Sequence, residues 1–336
     1  MLKSSESRIL VTGGAGLIGS ALVWELNRRG FENIILSDRL GTDEKWRNLV
    51  PLKFADYMDA DDVLRAATGG GAGALDNVEM VLHMGACSAT TERDSGYLMR
   101  NNFEYTRLLA QWAVARGARF VYASSAATYG DGSQGMDDRL TGLHKLRPLN
   151  MYGYSKHLFD QHAQRSGLLG RIVGLKYFNV FGPNEDHKAD MRSVVHKSFG
   201  QILAAGKVQL FRSHRPDFRD GEQMRDFLYV KDAVRMTLHL AQSPAAGGLY
   251  NLGSGLAQSW LQLTHAIFAA LGKTPNIEFI DMPESLRPKY QYFTCADIAK
   301  LRQAGYMDEV TPLAEAVRDY VQNYLVKDRR LGDEGQ

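Results

Sequence analysis

The apolar positions of this chain fall into short runs separated by longer amphipathic stretches. Arg8-Ile-Leu-Val-Thr is such a run, rich in β-branched residues, and it leads through a cluster of glycines into a helical pattern that carries Trp24, Leu26 and Arg29. Gly30 then serves as a C-terminal cap. Runs of the same kind recur at Asn33-Ile-Ile-Leu-Ser, Leu52-Lys-Phe-Ala-Asp, Asn77-Val-Glu-Met-Val-Leu-His, Arg119-Phe-Val-Tyr-Ala and Arg171-Ile-Val-Gly-Leu-Lys-Tyr. Apolar runs this short read as strands covered on both faces, and their alternation with helical segments predicts an α/β fold built on a doubly wound parallel sheet.

After Phe181-Gly-Pro the pattern changes to loops, with a helix expected from about Met191 to Ala205. Asp226-Phe-Leu-Tyr-Val and Gly248-Leu-Tyr-Asn-Leu-Gly read as returns to the first unit, and the chain from Leu256 onward completes a smaller α/β lobe. The expected division is a nucleotide-binding unit over 1–181 and 226–255, with a substrate-binding lobe over 182–225 and 256–325. Residues 326–336 form a charged, glycine-containing tail that is expected to fray.

The glycines of the first turn carry the first chemical signal. Gly14-x-Gly16-x-x-Gly19 and Gly13-x-x-Gly16-x-x-Gly19 both fit a dinucleotide fingerprint between strand and helix. Such a turn lets backbone N–H groups approach a pyrophosphate at the helix N-terminus. The next run ends in Asp38, nineteen residues after Gly19, where a Rossmann-type sheet places an acid on the adenosine ribose. Arg39 follows at once and Lys45 lies nearby, so NADP is at least as well served as NAD. Asp56 closes the third run and is expected to meet the adenine. Gly85 and Ala86 are small residues where the cofactor backbone would pass, and Asn101 and Asn102 lie on the helix before the Ser125 strand. His83, inside the fourth run, reads as a buried histidine without a ligand role.

The second signal is Asn150-Met-Tyr-Gly-Tyr-Ser-Lys. On a helix, Tyr152 and Lys156 project from one face, so an ammonium can lie beside a phenol. A phenol titrates near pH ~10 and needs such a cation to act as a base near neutrality. Ser125, at the end of a predicted strand, is placed to hydrogen-bond both a substrate hydroxyl and the tyrosine.

Composition narrows the partners. Among 336 residues, 40 Lys and Arg against 38 Asp and Glu give a net charge of +2, with no long run of either sign, which argues against a nucleic-acid surface. The polar N-terminus lacks the apolar core of a signal segment and no membrane-length apolar run follows, so a cytoplasmic protein is expected. Cys87 and Cys295 are too few for a disulfide framework. His157 and His162 lack metal-binding helical spacing, and no metal is predicted.

Four motifs in order, Thr12-Gly-Gly-Ala-Gly-Leu-Ile-Gly, Ser124-Ser-Ala-Ala-Thr-Tyr-Gly, Tyr152-Gly-Tyr-Ser-Lys and Tyr177-Phe-Asn-Val-Phe-Gly-Pro, resemble the extended short-chain dehydrogenase/reductases. Gly85-Ala-Cys-Ser-Ala-Thr-Thr-Glu, His187-Lys-Ala-Asp-Met, Asp217-Phe-Arg-Asp-Gly-Glu-Gln-Met-Arg-Asp-Phe and Lys289-Tyr-Gln-Tyr-Phe-Thr-Cys-Ala-Asp narrow the resemblance to the ADP-glycero-manno-heptose 6-epimerases, over about 8–325. The resemblance implies inversion of one heptose side-chain carbon in an ADP-heptose, supplying a precursor of the lipopolysaccharide inner core. It implies one tightly held NADP or NAD per subunit that is not consumed, and a homo-oligomer, with a pentamer among the possibilities.

Residue by residue, the resemblance makes Lys188 a second catalytic base beside Tyr152, Lys156 and Ser125, although its place on the chain alone reads as a surface lysine. It brings Leu17, Ile18, Met84, Cys87, Ser88 and Val180 to the cofactor, together with Lys188. Asn179, Phe211, Arg225 and Tyr290 fall to the substrate, with Arg225 pairing its phosphates. Asp190 and Lys197 occupy substrate positions where the family carries serine and histidine, so these departures bear on the exact sugar. The competing readings are another nucleotide-sugar enzyme such as a 4-epimerase, and a non-catalytic cofactor-binding regulator.

Overall fold

The structure is a computed structural model that describes residues 4–69, 73–139, 142–284, 286–287 and 290–333. In chain order the strands are β1 (Arg8–Thr12), β2 (Ile34–Asp38), β3 (Asp56–Asp59), β4 (Val78–His83), β5 (Arg119–Ser125), β6 (Val173–Tyr177), β7 (Asn179–Phe181), β8 (Val208–Phe211), β9 (Met224–Tyr229), β10 (Gly248–Leu252), β11 (Ala257–Ser259) and β12 (Ile277–Ile280). The helices are α1 (Leu17–Arg28), α2 (Ala60–Ala67), α3 (Ser95–Leu98), α4 (Tyr105–Ala115), α5 (Met151–Arg165), α6 (Val194–Ala205), α7 (Val230–Gln242), α8 (Trp260–Ala270), α9 (Ala299–Gln303) and α10 (Leu313–Asp319).

Seven strands form the main sheet in the order β10-β6-β5-β4-β1-β2-β3, every neighbouring pair parallel. The alternation within each apolar run explains why two layers of helix are needed. Ile9, Val11, Ile34, Leu36, Met80 and Leu82 belong to one apolar core with α1 and α7, while Leu10, Ile35, Val81, Phe120 and Tyr122 join α4 and α5 in the other. The strand order reverses between β1 and β4, so the crevice beyond the carboxyl ends of these strands is where such a sheet binds ligands.

The smaller lobe differs in detail from the expectation. β9 does not return to the main sheet: it lies between β7 and β11 in a three-stranded sheet, and the return is made by α7 and β10. β8 and β12 pair in parallel as a separate ribbon. The third strand also begins where it was expected to end. Asp56, expected to meet the adenine, therefore sits exposed at the amino end of β3, in register with Ile35, and does not border the cleft along the carboxyl edge. The tail departs as well: Arg330 and Leu331 are buried rather than frayed.

Candidate active site

A cleft of about 710 Å³ opens along the carboxyl edge of the main sheet. Its floor is the glycine turn. Gly13 has φ of +65°, and a Cβ there would lie 2.6 Å from the Gly85 nitrogen; at Gly19 a Cβ would lie 2.0 Å from the Gly13 oxygen. Only glycine lets these three backbone segments meet. Gly16 caps α1 without a side-chain hydrogen bond, which leaves the first-turn N–H groups of α1 free to meet an anion. Leu17 and Ile18 continue the lining from that turn.

Asp38 ends β2 at the cleft and is buried. Its carboxylate accepts from the Ala15 N–H at 2.9 Å and the Arg39 N–H at 2.7 Å, and pairs with Lys45 at 3.0 Å. Lys45 thus pairs with the acid at the end of β2, while the neighbouring Arg39 side chain is turned to Asn101 Oδ1 and Asp61 Oδ1. Along the far wall run Met84, Gly85, Ala86, Cys87 and Ser88. Asn102 fixes that wall, accepting from the Cys87 N–H at 2.9 Å and donating to the Cys87 oxygen and to Ser155 Oγ, both at 3.0 Å. His83 is a buried structural residue. Its ring bridges Thr12 at 2.6 Å and Thr106 at 2.8 Å, and burial pulls its pKa down to about 3.

The reactive groups stand at the ends of β5 and α5. Asn150 caps α5 by accepting from the Gly153 N–H at 2.8 Å. A Cβ at Gly153 would lie 2.8 Å from the Ala127 oxygen, so the glycine is what lets the helix close on the turn after Ser125. Burial raises the Tyr152 pKa there, and the neighbouring Ser125 hydroxyl works against that rise. Lys156 is buried and donates to the Ala123 oxygen at 2.8 Å; burial lowers its pKa to about 8, which Asp160 partly opposes. Beneath it, Asp160 binds Lys176 at 2.7 Å, Ser124 at 2.7 Å and Tyr122 at 2.8 Å, pinning α5 to β5 and β6.

Lys188 lines the same cleft as Tyr152, and burial lowers its pKa against the opposing field of Glu185. Asn179 and Val180 line it from β7. Every residue assigned to the cofactor from sequence borders the cleft except Asp56.

The substrate assignments divide. Asn179 borders the cleft, whereas Asp190, Lys197, Phe211, Arg225 and Tyr290 lie outside its lining. Arg225 is buried between Trp260, at 5.6 Å, and Tyr290, at 5.0 Å, with its Nη1 donating to the Met224 oxygen at 2.9 Å. No carboxylate among the described residues pairs with this guanidinium. Trp260 both lines the cleft and donates to the Tyr290 hydroxyl at 2.8 Å, and so connects the pair to it. Sequence reasoning missed Trp260, whose only signal is its place just after the helix-capping Ser259, and His187, which borders the cleft beside Lys188.

The NAD dependent epimerase/dehydratase family matches residues 9–253. An ADP-L-glycero-D-manno-heptose-6-epimerase of Nitratidesulfovibrio vulgaris is 52% identical over 94% of this chain and 97% of its own. The chain belongs to the ADP-L-glycero-D-manno-heptose-6-epimerase family. A crystal structure of the family from Helicobacter pylori superposes with a TM-score of 0.79 at 25% identity, covering 96% of this chain and 98% of that one. A UDP-glucose 4-epimerase of Thermus thermophilus solved with NAD matches with a TM-score of 0.72 at 27% identity, covering 95% and 99% of the two chains. As a member of the heptose-epimerase family the chain is a nucleotide-sugar epimerase that uses a nicotinamide cofactor, and its glycine turn and Asp38, paired with Lys45, fit that group. Among the described residues no helix is long and apolar enough to cross a membrane.

Proposed function

We propose that this protein inverts carbon 6 of ADP-D-glycero-D-manno-heptose to give the L-glycero epimer, using NADP held in the glycine-turn cleft. Gly13, Gly16, Asp38 and Lys45 would hold the nicotinamide cofactor, which would supply a reversible hydride acceptor for carbon 6, so that inversion passes through a transient ketone. The observation that carries this reading is that Tyr152 and Lys188, from separate parts of the chain, border one cleft with the glycine turn.

Two acid/base groups are what the stereochemistry demands. The hydroxyl of one epimer points where the hydrogen of the other does, so a single proton acceptor cannot reach both. In this reading the Tyr152 phenolate oxygen takes the hydroxyl proton of one epimer while the Lys156 ammonium stabilises the phenolate. Ser125 holds the same hydroxyl in line. After the ketone has turned over, Lys188 Nζ gives a proton to the oxygen, and the reverse reaction uses Lys188 as the base. Its lowered pKa supports that role, because a neutral amine is accessible nearer to pH 7. Arg225, desolvated and without a described acid partner, is the candidate for the diphosphate, with Trp260 between it and the cleft. Arg39 and Lys45 support NADP over NAD. Both ligands are charged and water-soluble, which suits a cytoplasmic enzyme, and the homo-oligomer is tested by light scattering.

The decisive experiment incubates purified protein with ADP-D-glycero-D-manno-heptose, adds no cofactor and follows the configuration at carbon 6 by NMR. Appearance of the L-glycero epimer is expected. An inert protein, even with NADP and NAD supplied, would remove the heptose from this reading.

A further inference from the structure

Lys188 sits on an irregular loop whose next residue, Ala189, has φ of +45° and ψ of −122°, a conformation that a residue with a Cβ holds only when its surroundings impose it. Three consecutive side chains before Lys188 and its neighbour His187 anchor this loop. Asn184 donates to Ser20 Oγ at 2.9 Å and accepts the Leu331 N–H at 3.0 Å. Glu185 is fully buried, accepts the Ser193 N–H and hydroxyl at 2.6 Å each and takes the Tyr320 hydroxyl at 3.0 Å. Asp186 accepts from His196 at 2.9 Å and pairs with Arg330 at 3.4 Å. Each of the three is therefore tied to the C-terminal chain or to α6, and two of the ties come from residues 330 and 331.

That C-terminal turn is itself built, not loose. Arg330 is 8% exposed and Leu331 is fully buried. The Arg330 N–H donates to Asp333 Oδ2 at 2.6 Å and its guanidinium also meets Asp328 at 3.2 Å. Gly332 has φ of +102° and lies against Pro51, so the turn is wedged beside the segment that carries Lys45 and Asn48. Asn48 closes the circuit by donating to the Ala15 and Asn184 oxygens at 2.9 and 3.0 Å. None of residues 320–333 borders the cleft, so their effect on chemistry passes through the loop.

We propose that the turn at 328–331 is a strap that positions the Lys188 loop, making Arg330 and Leu331 positioning residues for the acid/base step on one face of the sugar. The inference rests on the proposed role of Lys188. A loop released from the strap would keep its α6 contacts and lose the register of Lys188 against the cleft. A displacement of about 1 Å at a reacting group lowers turnover by up to roughly a hundredfold.

The test uses the full chain with Arg330→Gln and, as the conservative variant, Arg330→Lys. Backbone amide exchange is measured first, because it needs no substrate. Arg330→Gln is expected to speed exchange over 184–193 and leave the glycine turn at 13–19 unchanged, with Arg330→Lys partly restoring protection. Unchanged exchange over 184–193 would overturn the strap. Single-turnover oxidation of each epimer by the bound cofactor, read by reduced-nicotinamide absorbance, is measured second. Arg330→Gln is expected to slow the epimer served by Lys188 about ten- to a hundredfold and to spare the one served by Tyr152. Equal slowing of both epimers would assign Arg330 a general structural role and overturn the positioning claim. A wild-type protein that oxidises neither epimer would instead refute the proposed function, and the exchange measurement would still decide the strap.

Discussion

Tyr152 is held in a state that favours the protonated phenol: burial raises its pKa, and Lys156 Nζ is turned to the Ala123 carbonyl. The sequence spacing alone suggested that the ammonium can lie beside the phenol. Geometry puts the two on one helix face, yet the ammonium's hydrogen bond goes to the strand beneath. Burial lowers the Lys156 pKa to about 8, and Asp160 opposes that shift. Tyr152→Phe removes the proton carrier while preserving the ring's packing, and Lys188→Met removes the second one. Each variant is expected to lower kcat by roughly 10²- to 10⁴-fold, the range for a lost general acid or base. Cofactor occupancy, read by absorbance of the purified protein, should stay at the wild-type level; loss of cofactor from either would make that residue chiefly a binding group. Arg225→Lys keeps the charge and discards the planar fork between Trp260 and Tyr290. It is expected to raise KM for the nucleotide sugar about tenfold at little change in kcat, the sign of lost ground-state binding.

At the scale of elements, the site depends on how closely α5 approaches the turn after β5. Gly153 is the contact point, with no room for a Cβ before the Ala127 oxygen at 2.8 Å. Gly153→Ala would ordinarily favour a helix by about 1 kcal/mol. Here the added methyl must push α5 outward and carry Tyr152 away from Ser125. The expected result is a loss of kcat of roughly ten- to a hundredfold with helix content by circular dichroism unchanged or higher; full activity would show that the helix does not set the Tyr152–Ser125 distance. The Asp160–Lys176 pair makes the complementary point. Both side chains are buried, and removing one leaves the other charge without its partner. Lys176→Met is expected to cost about 3–5 kcal/mol of stability, read as a lowered denaturant midpoint, because Asp160 also anchors Ser124 and Tyr122 across three elements.

Across the whole molecule, the main sheet was legible because strands covered on both faces must be apolar throughout, and the runs at Ile9, Ile34, Val81, Val121 and Val173 are. The third strand slipped because Leu52 and Phe54 are packed apolar residues outside any strand, while β3 itself reads Asp-Tyr-Met-Asp. Cofactor residues were legible for a related reason: close backbone approach demands glycines at fixed spacing. The substrate lobe was not, since Trp260 and Arg225 meet only through pairing of β9 with β11, and the tail misled because the Arg330 charge is paired internally with Asp186 and Asp328. His83, read from the sequence as a buried histidine, links the stability of the fold to pH. Its pKa falls from 6.5 to about 3 on folding, so the unfolded chain takes up this proton first as the pH drops. Stability is then fully present above about pH 6.5 and is lost as the pH falls toward 3, at up to about 1.4 kcal/mol per pH unit for this one group. His187, lowered to about 4 by burial, adds to the loss with the same sign. Denaturant unfolding at pH 7.5 and pH 5 should therefore show a large drop in stability for the wild type. His83→Gln, which can still bridge Thr12 and Thr106 but cannot protonate, should start less stable at pH 7.5 and lose about 2 kcal/mol less between the two conditions. An equal loss in both proteins would mean that His83 is already solvated or protonated in the native state, contrary to its two threonine partners.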